Sequence, residues 1–132
     1  MNSKPWMIVR TKELQQAQTI WLNRYAGELW VKYNKIFSGL KKFDCPKIVL
    51  NNRFTKTAGC NNQAGNTVEL ASKFLYKFQA EMLTIILPHE LAHQIDFNLY
   101  GVSEKKCGHG ENWCNIMVKL GLPPNKYHSL EL

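Results

Sequence analysis

At 132 residues, with 45% apolar and 20% charged positions, the chain has the make-up of one globular domain with a core of its own. No apolar run is long enough to cross a bilayer; the longest, around Met82–Leu87, is broken by Pro88 and His89. The net charge of +7 is gathered in residues 1–60, which hold eleven Lys and Arg against Glu13, Glu28 and Asp44, whereas residues 61–132 hold six against seven acids. That split favours a polyanionic partner, with nucleic acid the usual one.

In chain order, the opening MNSKPWMIVR has no apolar stretch followed by a small-residue cleavage site. An intracellular, cytoplasmic location is therefore expected, or nuclear in a eukaryotic source. The segment Thr11–Ile36 reads as one long helix: Leu14, Ala17, Trp21, Tyr25 and Leu29 follow three- and four-residue steps and define an apolar stripe. Thr11 is the expected N-cap and Ser38-Gly39 the expected stop. PKIVLNN (Pro46–Asn52) reads as a strand, TAGCNNQAGN (Thr57–Asn66) as turns, and TVELA (Thr67–Ala71) as another strand. Phe54–Cys60 is a candidate third, giving a small antiparallel sheet, with Thr67–Ala71 offering an edge for an extended peptide. A helix from Gln79 to Tyr100 follows, kinked by Pro88 and stopped at Gly101, then a loop and a final helix Glu111–Leu120. The expected class is α+β in a single domain over 1–132, with helices packed on the small sheet. Cys45, Cys60, Cys107 and Cys114 contain no C-x-x-C pair and read as free thiols.

The chemistry concentrates in LPHELAHQID, Leu87–Asp96. Positions four apart on a helix project from one face, so His89 and His93 can offer imidazole nitrogens to one ion. Glu90 stands one step round and can reach a water on that ion as general base, the logic of H-E-x-x-H. The bland alternative, a solvated face with two histidines and a glutamate, is opposed by the apolar neighbours Leu87, Leu91, Ala92 and Ile95. They bury this face, and buried imidazoles need partners. A catalytic zinc site usually takes three protein ligands and keeps an open position. His109, between Gly108 and Gly110 in CGHGENW, is the candidate third ligand, with Glu111 the runner-up.

LPHELAHQID, GHGENW and the closing LGLPPNKYH, in that order, resemble the SprT-like zinc metalloprotease family, whose Spartan branch acts on DNA–protein crosslinks. The resemblance implies a zincin-like single domain with an H-E-x-x-H active-site helix, one Zn2+ on His89, His93 and His109, and Glu90 as the catalytic glutamate. It implies hydrolysis of protein or peptide substrates, including proteins bound or crosslinked to DNA. Many members continue into a cysteine-rich zinc ribbon, and none is present up to Leu132.

Other residues carry weaker expectations. Asp96 is placed to orient a ligand imidazole from outside the coordination shell. Tyr127 and His128 are candidates to stabilise an oxyanion. Trp113 and Met117 read as core. Lys32, Lys35, Lys41, Lys42, Lys47, Arg53 and Lys56 form a candidate nucleic-acid surface, single-stranded DNA above all. The interleaved Tyr33, Phe37, Phe43 and Phe54 are mostly core. The competing function is a nucleic-acid-binding module with a structural zinc and no proteolysis. A metal-dependent nuclease fits least, since the only aspartates are Asp44 and Asp96.

Overall fold

The computed structural model describes residues 12–101, 109–125 and 130–131. Its first element, α1 (Lys12–Ile36), is the expected long helix, opened by the good helix formers of KELQQAQ. The N-cap expected at Thr11 lies outside the described residues. The buried stripe is Gln18, Leu22, Ala26, Trp30 and Tyr33, one residue on from the expected one; Leu14 and Trp21 are 37% and 42% exposed. One residue turns a helix by about 100°, and Asn23 supplies a reason for that rotation. Its Nδ2 donates to the Ile48 carbonyl at 2.8 Å while its Oδ1 accepts from the Ile48 N–H at 2.9 Å. Both backbone groups lie on the open side of an edge strand, where unmet hydrogen bonds are costly. Satisfying them with Asn23 turns Leu22 and Ala26 inward. α1 ends at Ile36, just ahead of the expected stop at Ser38-Gly39; Phe37 is extended, and a separate 3₁₀ turn, Ser38–Lys42, then buries Leu40.

The sheet has three strands: β1 (Lys47–Asn51), β2 (Gly59–Asn62) and β3 (Thr67–Ala71), in the order β1-β3-β2. It is mixed, which corrects the antiparallel expectation: β2 runs antiparallel to β3, and β1 runs parallel to β3. Parallel neighbours normally need a helical crossover. Here β2 itself is the return path, carrying the chain back so that β3 enters between its predecessors. The third strand therefore lies in the Gly/Asn stretch rather than over Phe54–Cys60. Thr67–Ala71 becomes the central strand and offers no free edge; the open edges are β1 and β2. The β2–β3 turn is held by Asn62, whose Oδ1 accepts from the Gly65 N–H at 3.1 Å, and by Asn66 at φ 50°. Asparagine tolerates that left-handed backbone.

After the unanticipated short helix α2 (Ser72–Lys77), α3 (Gln79–Glu81) leads into a π turn, Met82–Ile86, and then α4 (Leu87–Tyr100). The expected kink before His89 takes this form. Pro88 has no N–H and its ring would crowd the carbonyl four residues back. The wider turn, closed by Leu87 N–H to Met82 O, makes room for the ring. α4 ends as expected at Gly101, φ 79°. α5 (Glu111–Lys119) follows and packs on α4, ending before Gly121 at φ 76°. The core lies between α1, the inner face of the sheet, α4 and α5; Leu22, Ile48, Val68, Leu70, Leu91, Ile95 and Trp113 have no exposed surface. Trp113 and Met117 are core residues as expected. Among the described residues, Cys45, Cys60 and Cys114 are free.

Candidate metal centre

α4 places His89 and His93 one turn apart on its inner side, and His109 arrives from the segment just before α5. Their Nε2 atoms form a nearly equilateral triangle: 3.2 Å from His89 to His93, 3.2 Å from His89 to His109 and 3.1 Å from His93 to His109. Each Nε2 has a single in-plane direction, used either to donate or to accept. Three such atoms converging on one point cannot satisfy one another, because one proton serves at most one pair. A cation can satisfy all three. Tetrahedral zinc with bonds of 2.0–2.1 Å separates its nitrogens by about 3.3–3.4 Å, close to the observed triangle. These are also the residues among the described ones whose ligand atoms group tightly enough to hold an ion, and Glu111 is not among them.

Burial shields most of the cluster from water. His93 and His109 are buried and His89 is partly open. Trp113, without exposed surface, packs against all three rings at centroid distances of 4.9, 5.3 and 4.7 Å. Glu90 is buried, its Oε2 3.9 Å from His89 Nε2. Loss of hydration disfavours its carboxylate and pushes its pKa up to about 7. β2 lies alongside: a methyl group at Gly59 would meet Ile86 Cγ2 at 3.0 Å and Glu90 Cγ at 3.2 Å. The strand can approach the glutamate this closely only because Gly59 has no side chain. The next residue, Cys60, is exposed, its thiol pKa raised by burial, then by Glu90 and Glu69.

An amide network ties the β2–β3 hairpin to the same helix. Asn61 Nδ2 donates to Gln94 Oε1 at 2.8 Å, Gln94 Nε2 donates to the Gln63 carbonyl at 3.2 Å, and Gln63 Nε2 donates to the His93 carbonyl at 3.1 Å. Gln94 also donates to Asn98 Oδ1 at 2.9 Å. The backbone of one candidate ligand is thus held directly by the turn.

Sequence reasoning brought His89, Glu90, His93 and His109 to one place, and the structure gathers them there. Asp96 is buried on α4, its pKa raised by burial. Tyr127, His128 and Cys107 lie outside the described residues. Gly59, Gln94 and the part Trp113 plays beside the ligands were missed. For Trp113 a signal existed, since it stands only four residues beyond His109, in the first turn of the helix that follows it. The seven basic residues from Lys32 to Lys56 are all exposed and stand on stretches of chain that carry none of the three histidines, while Tyr33 and Phe37 are buried and Phe43 and Phe54 half-buried.

The SprT-like family model matches residues 26–128. The chain belongs to the SprT-like family. Among relatives, Protein SprT of Vibrio atlanticus (strain LGP32) is 30% identical over 112 residues, 84% of this chain and 64% of that protein. Protein SprT of Klebsiella pneumoniae (strain 342) is 30% identical over 93 residues, 70% of this chain and 54% of that protein. The chain thus spans between half and two thirds of the length of these relatives. No solved structure matches it. Among the described residues no helix is long and apolar enough to cross a membrane. SprT-like membership and the three converging imidazoles together fit a metal-binding, metalloprotease-like domain.

Proposed function

We propose that this chain is a zinc-dependent peptidase that acts on protein substrates, those held on DNA among them. The observation that carries the reading is the 3.1–3.2 Å triangle of His89, His93 and His109 Nε2 with the buried Glu90 beside it. Three neutral imidazoles suit Zn2+ rather than Mg2+ or Ca2+, which prefer oxygen donors. Held there, the metal would polarise a peptide carbonyl and lower the pKa of a coordinated water to about 7.

The remaining steps belong to side chains. Glu90, buried beside the His89 ring, would take the proton of the attacking water and return it to the departing amine. The exclusion of water by Trp113 and the apolar face of α4 strengthens every electrostatic interaction at the centre. Asp96 is the candidate to fix a ligand ring from outside the coordination shell. An extended substrate would pair along the open edge of β2, next to Glu90, and not along β3.

Glu90→Gln should leave the zinc content and fold unchanged and abolish cleavage of casein or histone. Full activity in that variant overturns the mechanism. The second reading, a nucleic-acid-binding module with a structural zinc, draws on the seven exposed basic residues between Lys32 and Lys56. It expects salt-sensitive single-stranded DNA binding that survives Glu90→Gln, and no proteolysis by the wild type.

A further inference from the structure

We propose that Trp113 is a positioning residue for the metal, an indole platform that sets the three imidazoles relative to one another and favours their metal-bound state. The inference rests on the reading that the triad binds a metal. Trp113 touches every candidate ligand: its ring is nearly parallel to His93, at 19°, and close to perpendicular to His89 and His109, at 62° and 65°. It belongs to α5, while two of the ligands belong to α4. One rigid side chain therefore aligns the ligand that arrives ahead of α5 with the pair fixed on α4.

Two physical points separate this role from ordinary packing. An imidazole that donates its lone pair to a divalent cation becomes electron-poor, and the negative face of an indole attracts an electron-poor ring more strongly than a neutral one. The stacking on His93 is therefore stronger with metal than without it. In addition, the Trp113 Nε1–H is buried and finds no acceptor among the described residues. Phenylalanine would fill similar space with no donor to satisfy, so packing alone does not call for an indole here.

The test uses the whole chain, stripped of metal and titrated with Zn2+ in competition with a chromophoric chelator, for wild type, Trp113→Phe and Trp113→Leu. Zn2+ affinity should fall about tenfold for Trp113→Phe and about a hundredfold for Trp113→Leu, the range typical of residues that support metal ligands from outside. The visible absorption of the Co2+-loaded protein, which reports coordination geometry, should be largely kept by the Phe variant and displaced in the Leu variant. The melting temperature of metal-free Trp113→Phe should stay close to wild type, which ties the lost affinity to the ligands rather than to folding. Unchanged Zn2+ affinity and an unchanged Co2+ spectrum in both variants would overturn the inference while leaving the metal centre standing. A wild-type chain that binds neither ion removes the metal centre, and this inference with it.

Discussion

Burial that carries the Glu90 carboxyl to about 7 has consequences for stability as well as chemistry. The folded-state pKa lies above the ordinary carboxylate value, so the unfolded chain gives up this proton first as pH rises. Glu90 therefore costs no stability below about pH 4, becomes progressively destabilising up to about 7, and holds its full cost above that. Metal-free Glu90→Gln should then match wild type at pH 4 and exceed it at pH 8 by about 3 kcal/mol. Denaturant unfolding of the two metal-free proteins at both pH values checks this; equal midpoints at pH 8 would mean the carboxylate is solvated. Gly59 acts on the same residue from the opposite side. Gly59→Ala sets a methyl 3.0 Å from Ile86 Cγ2 and 3.2 Å from Glu90 Cγ, and overpacking of this kind costs about 1–3 kcal/mol. It should lower activity more than Zn2+ affinity, because the crowded group is the proposed base and not a proposed ligand; kcat and a Zn2+ titration read the two separately.

Among elements, the β2–β3 hairpin and α4 act as one unit through Gln94. Replacing it with leucine keeps the volume but leaves the Gln63 carbonyl and Asn98 Oδ1 without this donor, and Asn61 Nδ2 with the Thr67 carbonyl alone. A loss of about 1–3 kcal/mol is expected per buried group left unmet, together with faster hydrogen exchange in Asn61–Asn66; wild-type exchange there would refute the clamp. The histidine-bearing helix was legible because an i, i+4 pair is a local pattern and needs only the helix to be right. The face of α1 was not. Leu14, Trp21 and Tyr25 form one apolar stripe and Leu22, Ala26, Trp30 and Tyr33 the next, and the choice between them is made by Asn23 meeting the edge of β1, 25 residues away in sequence. Strand direction was illegible for a related reason. Alternation in TVELA says which side chains face inward but nothing about the neighbour, and β3 owes its place to the path of β2. Pro88 was rightly read as a disturbance, but its form, a π turn, depends on how the preceding turn can widen.

At the scale of the whole molecule, charge is the feature left uncompensated. Among the described residues no Lys or Arg pairs with a carboxylate, and the basic residues from Lys32 to Lys56 lie on the surface. The aromatic rings among them are mostly inside, so nucleic acid held there would be gripped by its phosphates rather than by stacked bases. Lys41→Glu with Lys42→Glu should weaken single-stranded DNA binding and reduce the slope of log affinity against log salt by about 0.7 for each phosphate no longer neutralised. Identical affinity and slope would place the DNA on another face. The position of the third ligand has an effect on the chain as a polymer. A metal joining His93 to His109 would tie two points sixteen residues apart and so act as a removable staple. Bound to the folded chain and released on unfolding, such an ion would stabilise the closed loop by its affinity for the native site, and chelation would remove that stabilisation. Stripping the ion should therefore loosen α5 first, as earlier exchange of its amides, while α1 and the sheet keep their protection.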